Sequence, residues 1–159
     1  MKIKLNNEIS VEYPESFAEM TGTELKKSFG SAVRRSGAKN DAKQFFISVS
    51  WTDRVSLPTS LFVNEKSCLN KAAARCRRTL SEHRDDGHIT REHPTGKVTG
   101  FEYSYTQDGT PYHGAAAAIK LCGRIYVVEY RTSSFDRMFC SMAFNMVITS
   151  LRPIRGDKR

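Results

Sequence analysis

The stretch VTGFEYSYTQDGTPYHGAAAAIKLCGRIYVVEYR, residues 98–131, decides the fold. It reads as three antiparallel strands joined by two tight turns. Asp108-Gly109 is a hairpin signal, because a type I′ turn needs positive φ at both central residues, which Gly accepts freely and Asp less easily. Cys122-Gly123 makes a second, weaker turn. Val98 opens the first strand, and from Phe101 onward Phe101, Tyr103 and Tyr105 alternate with other residues. Ala115, Ala117, Ile119 and Leu121 share one face of the second strand, and Ile125 to Tyr130 form the third. Alternation is the mark of a strand because successive side chains point to opposite faces.

Toward the N-terminus, Ile3 to Leu5 and Ile9 to Tyr13 read as a short hairpin around Asn6-Asn7, ended by Pro14, which has no ladder donor. Phe17, Met20, Leu25 and Phe29 are apolar anchors around a short helix from Glu24 to Phe29, capped by Thr21 or Thr23 and closed by Gly30. Ser31 to Asp41 is polar and basic, has no period and reads as an exposed loop. Gln44 to Thr52 is a strand with Phe45, Ile47, Val49 and Trp51 on one side. A looser loop containing Pro58 leads to a helix capped by Asn64 and running to about His83. Leu69, Ala72, Ala73, Cys76 and Leu80 give that helix one apolar stripe, and Lys71, Arg75 and Arg78 give it a basic one. Asp86-Gly87 turns the chain into a strand around His88 to Glu92, and Pro94-Thr95-Gly96 leads into the central strands.

Beyond Tyr130, Ser133 or Ser134 can cap a last helix with Asp136 in its first turn. Phe135, Phe139, Met142 and Met146 help make this helix apolar over more than half its circumference, which predicts deep packing on the sheet. Pro153 ends it, and a short basic tail occupies about 154–159. Hairpin strands with inserted helices indicate an α+β fold with a mainly antiparallel sheet. Both faces of the central strands carry apolar residues, so helices should cover both, giving an α/β/α sandwich.

A chain of 159 residues suits a single domain, 1–159, large enough to bury most of its apolar surface. With 10% aromatic and 26% charged residues, a folded globular protein is expected rather than a disordered one. The net charge of +8 favours an acidic partner, whether nucleic acid, anionic lipid or an acidic protein face. No apolar run follows the two N-terminal lysines and no stretch reaches membrane-spanning length, so a cytoplasmic location is expected. The four cysteines lack zinc spacing, and Cys68 and Cys76 would stand roughly 12 Å apart along one helix, too far for a disulfide. Reduced, buried thiols are expected.

Three patterns carry a resemblance. They are ISVEYPESF (Ile9 to Phe17), GFEYSYTQDGTPYHG (Gly100 to Gly114), and RIYVVEY with a following helix that ends MVITSLRP (Arg124 to Tyr130, Met146 to Pro153). Together with the element order they resemble the PsbP-like fold family, which includes the extrinsic photosystem II protein PsbP, a Ran-binding nuclear-transport factor and bacterial DcrB-like proteins. The resemblance implies the α/β/α sandwich and a role in binding proteins, as in relatives that act as chaperones of secretion effectors. These are packing signatures, and they imply no catalytic residue, metal or cofactor.

The residues themselves offer four candidate sites. His83, His88 and His93 stand among Asp85, Asp86 and Glu92, a set suited to a transition metal, but their positions oppose convergence and no metal is expected. Cys76 lies beside Arg75 and Arg77, which would lower a thiol pKa, yet it also sits on the apolar stripe. No nucleophile motif or phosphate-binding glycine loop occurs, so no catalytic residue is assigned and a non-enzyme is expected. Lys71, Arg75 and Arg78, joined by Arg34 and Arg35, form a basic surface for an acidic partner, or a merely solvated face. Tyr103, Tyr105, Tyr126 and Tyr130 form either an open groove on the sheet or core packing. The expected function is a non-catalytic adaptor or chaperone-like module for a protein or peptide, acidic partners and a homodimer included; the alternative is a basic binder of nucleic acid or an anionic surface.

Overall fold

The computed structural model describes residues 1–31, 34–56 and 62–155, so the loop containing Pro58 and the tail from 156 lie outside the described residues. In chain order the elements are β1 (Lys2–Lys4), β2 (Ile9–Glu12), β3 (Ala18–Glu19), α1 (Gly22–Phe29), β4 (Arg35–Asn40), β5 (Phe45–Trp51) and α2 (Glu65–Thr79). They continue with β6 (Ser81–His93), β7 (Gly96–Gln107), β8 (Thr110–Leu121), β9 (Arg124–Thr132), α3 (Arg137–Ser150) and β10 (Arg152–Pro153).

The central meander forms as its turn chemistry requires. Asp108 and Gly109 have φ of 51° and 77°, and Cys122 and Gly123 have 50° and 74°, so both turns carry two consecutive left-handed residues. Seven strands pair antiparallel in the order β3-β4-β5-β9-β8-β7-β6, and β1-β2-β10 form a separate small sheet.

The sheet is covered on both faces. On one face, Ala115, Ala117, Ile119 and Leu121 of β8 join Phe45, Ile47 and Val49 of β5 beneath Ala143, Phe144, Val147 and Ile148 of α3. The small sheet seals this layer with Ile9 and Val11. On the other face, Phe101, Tyr103, Tyr105, Ala116 and Ala118 pack under Leu69, Ala72 and Cys76 of α2. The four alanines allow this, because small side chains let helices approach both faces of β8 closely. This is the α/β/α arrangement expected.

The structure corrects several boundaries. Part of the expected loop 31–41 is strand β4, whose register to β5 runs from Arg35↔Ser50 to Asn40↔Phe45. The β6 strand begins at Ser81, and α2 ends at Thr79 rather than near His83. The cap of α3 is Asp136, whose carboxylate accepts from the Phe139 amide at 3.2 Å, not Ser133 or Ser134. Arg152-Pro153 do not merely end α3: they pair with β2 as β10. Proline is tolerated there because β10 is an edge strand.

Candidate functional site

The expected basic surface on α2 divides when the chain folds. Lys71 and Arg78 are exposed, but Arg75 turns inward to Glu129 at 3.6 Å. Arg34 is held by Asp53 at 2.7 Å. Arg35 donates to the carbonyls of Phe29 and Gly30 and lies over the Phe29 ring. The five cations therefore form no continuous stripe. The Arg34 pair with Asp53 lies at the surface, whereas Arg35 and Arg75 have structural work beside the interior.

That work centres on Glu129 and Arg131, two β9 residues that face α2 and are both buried. Arg131 Nε donates to the Tyr103 hydroxyl at 2.9 Å, and that hydroxyl donates to Glu129 Oε2 at 2.9 Å. Arg131 also donates to the Ser28 carbonyl at 2.8 Å, which ties the end of α1 to the sheet. Burial opposes the charge of Arg131, but Glu129 and then the phenols of Tyr103 and Tyr105 hold its pKa above the ordinary value. Burial pushes the Cys76 thiol up to about 11, and Glu129 adds to the shift. The neighbouring arginines do not reverse it, so the thiol is protonated and unreactive at neutral pH. A buried ion cluster is weak support for net stability, but it fixes which elements meet. Here it fixes α1 and α2 against β7 and β9. The sign in sequence was the pair of opposite charges two apart, Glu129 and Arg131, inside an otherwise apolar strand.

The four tyrosines form no open groove. All are buried, with Tyr103 and Tyr105 beneath α2 and Tyr126 and Tyr130 in the layer beneath α3. Alternation sends residues of opposite register to opposite faces, so no single surface can collect them. Gly114 is opposite Tyr103 in the ladder, and a Cβ there would run into the Tyr103 ring. The glycine thus seats the phenol that bridges Arg131 and Glu129.

The histidines also separate. His83 stacks on Tyr103, His88 is exposed, and His93 bonds the Thr95 hydroxyl and the Leu151 carbonyl, each at 2.8 Å. Among the described residues, no three His, Cys, Asp or Glu side chains gather as metal ligands would. No helix of the described residues is long and apolar enough to cross a membrane.

The surface feature that sequence reasoning missed lies on α3 and at the residue before its cap. Phe135, Met138, Met142 and Met146 are 50%, 84%, 44% and 38% exposed. Met142 and Met146 were expected to pack on the sheet. Instead Cys140, Ala143, Phe144, Val147 and Ile148 fill that face, and the methionines point away from it. At 100° per residue, Met138, Met142 and Met146 fall opposite Phe144 and Val147, so the spacing of three and four was itself the available signal. No further layer covers this side among the described residues.

Where the stripe ends, a trough of about 950 Å³ begins, bordered by Met146 and by Lys2, Lys4, Arg152 and Arg155. Ser10 lies on its floor, paired in the small sheet with Lys4 on one side and Arg152 on the other. None of these four cations makes an ion pair among the described residues. Glu12 is the one acidic side chain bordering the trough among the described residues.

No protein-family model matches the chain, and no curated protein matches it in sequence. Solved structures do. Cyanobacterial PsbP (CyanoP) from Synechocystis sp. PCC 6803 aligns with a TM-score of 0.62 at 13% identity, over 97% of this chain and 92% of that one. The Ran-binding protein Mog1p of Saccharomyces cerevisiae aligns with a TM-score of 0.52 at 11% identity, over 94% and 85%. A structure from Bacteroides thetaiotaomicron VPI-5482 aligns with a TM-score of 0.61 at 11% identity, over 95% of this chain but 46% of the other, so this chain spans less than half of that longer one. The chain has the PsbP/Mog1-like α+β fold.

Proposed function

We propose that the chain is a non-catalytic protein- or peptide-binding module whose contact surface is the outer face of α3. The observation that carries this reading is the row Met138, Met142 and Met146, an apolar stripe left open on a helix whose opposite face is packed, with Phe135 also exposed just before the helix, against the His113 ring. Single exposed apolar residues need no explanation, but a contiguous row suggests an interaction surface. Methionine suits that use, because its unbranched, polarisable side chain adapts to a partner's shape. The fold shared with the Ran-binding protein Mog1p is compatible with binding work and assigns no partner.

The test is site-specific photocrosslinking in cells that express the protein, with the crosslinking residue placed at Met138 or Met142. Controls place it at Lys71 and Arg78, on the opposite side of the sheet. A crosslinked species of defined mass from the α3 positions alone supports the reading. The same species from all four positions, or from the α2 positions only, removes it.

A further inference from the structure

We propose that the α3 surface takes an acidic amphipathic segment of a partner protein, its apolar side on the methionine stripe and its carboxylates in the cationic trough. The proposal rests on the reading of α3 as the contact surface and adds the chemistry of what binds there. Stripe and trough are continuous, since Met146 belongs to both. From Met138 to Met146 the stripe runs about 12 Å along the helix, two turns, which matches the anchor spacing of a short helix lying against it. At its end a segment meets Lys4 and Arg152 across the Ser10 floor, with Lys2 and Arg155 beside them. Four cations against Glu12 alone select for negative charge.

Other occupants fit less well. A second copy packed about a two-fold axis through the trough would bring the same cations against each other, an arrangement that like charges oppose. A lipid surface is broad and flat, whereas Ser10 lies on the floor of a recess and is 5% exposed. A helix built to lie on anionic lipid carries Lys and Arg along its polar face, but α3 has only Arg137, at its start. Single-stranded nucleic acid asks for exposed aromatic rings between cations, and the trough is bordered by none.

The test uses the full chain and a fluorescent synthetic helical peptide of about four turns, roughly 14 residues, with leucines on one face and glutamates flanking them. A comparator replaces each glutamate with lysine. Anisotropy should show the acidic peptide bound at least tenfold more tightly than the comparator. The pair Lys4→Glu with Arg152→Glu should weaken it by roughly tenfold, and the milder pair Lys4→Gln with Arg155→Gln should weaken it less while leaving circular dichroism unchanged. Equal affinity for both peptides, or binding of neither, overturns the proposal; the photocrosslinks from Met138 and Met142 then decide separately whether α3 is a contact surface at all. Tighter binding of phosphatidylserine vesicles or of single-stranded DNA than of the acidic peptide overturns it in favour of an anionic-surface reader. A dimer that Met142→Glu dissociates overturns it in favour of a second copy.

Discussion

Replacing Tyr103 by phenylalanine removes one oxygen atom from the centre of the fold. The ring is buried and already fits, so the change opens no large cavity. It does remove the hydroxyl that accepts from Arg131 Nε and donates to Glu129 Oε2, each at 2.9 Å. The carboxylate is left with Arg131 and Cys76, each at 3.7 Å, and with Arg75 at 3.6 Å, and its Oε1 already has no hydrogen bond. Hydrogen bonds to charged groups contribute about 1.5–3 kcal/mol each, and a buried acceptor left unpaired costs its desolvation. We expect Tyr103→Phe to destabilise the fold by about 2–3 kcal/mol, a large share of the 5–15 kcal/mol typical of a folded domain. At this chain length the melting temperature should drop by about 6–9 °C. Tyr126→Phe serves as the control, because its hydroxyl accepts one neutral bond from Asn6 Nδ2 at 2.9 Å and should cost only about 1 kcal/mol. Urea unfolding followed by circular dichroism measures both, read as a lower midpoint at unchanged m. A loss under about 0.5 kcal/mol for Tyr103→Phe, or a larger loss for the control, would refute the view that this charged chain ties α1 and α2 to the sheet.

Three further outcomes are expected. Met138→Glu with Met142→Glu should change stability by no more than about 0.5 kcal/mol, since both side chains are exposed, while abolishing the partner crosslink; thermal melts and the crosslinking gel check the two halves. Alkylation at pH 8 followed by intact-mass measurement should label Cys122 first, because it is exposed, and leave Cys76 unlabelled while the protein stays folded, because its thiol is fully buried and its pKa is pushed up to about 11. Burial holds the His113 imidazole below its usual pKa, against the pull of Glu102 and Asp86, so the fold prefers the neutral ring that meets the Tyr130 hydroxyl at 3.1 Å. That contribution is present above about pH 6.5 and is lost as pH falls through the lower folded value, so the melting temperature should decline with acid more in the native protein than in His113→Gln.

The central sheet was legible because its signals are local. Two Gly-containing turns and alternation on Phe101, Tyr103 and Tyr105 place β7, β8 and β9 without reference to the rest of the chain. Strand β4 was not legible, because RSGAKN has neither β-branched nor aromatic residues. It is a strand by tertiary context, paired on both sides, with Gly37 so close to Leu25 and the Ile47 carbonyl that a side chain would collide. The start of β6 was hidden for another reason: Ser81 to Asp86 is an edge segment rich in charge with shifts of register, the form edges take to avoid pairing with other chains. The candidate site was least legible. Apolar composition over more than half of α3 reads as burial, and the one sign that its methionines stay outside was their helical phase, opposite Phe144 and Val147. The arginines failed in the opposite sense, because a charge at helical spacing reads as solvated until a buried partner such as Glu129 is known.

The most direct measurement is a methyl NMR titration of the ¹³C-methyl-methionine protein with the acidic amphipathic peptide. The five methionines are reporters already in place, Met20 buried in the core, Met1 half-buried against it, and Met138, Met142 and Met146 on the open stripe. Binding at the outer face of α3 should shift or broaden those three methyl signals, Met146 with them because it borders the trough, while Met20 stays unmoved. Saturable binding that leaves the α3 methyls in place would contradict the account.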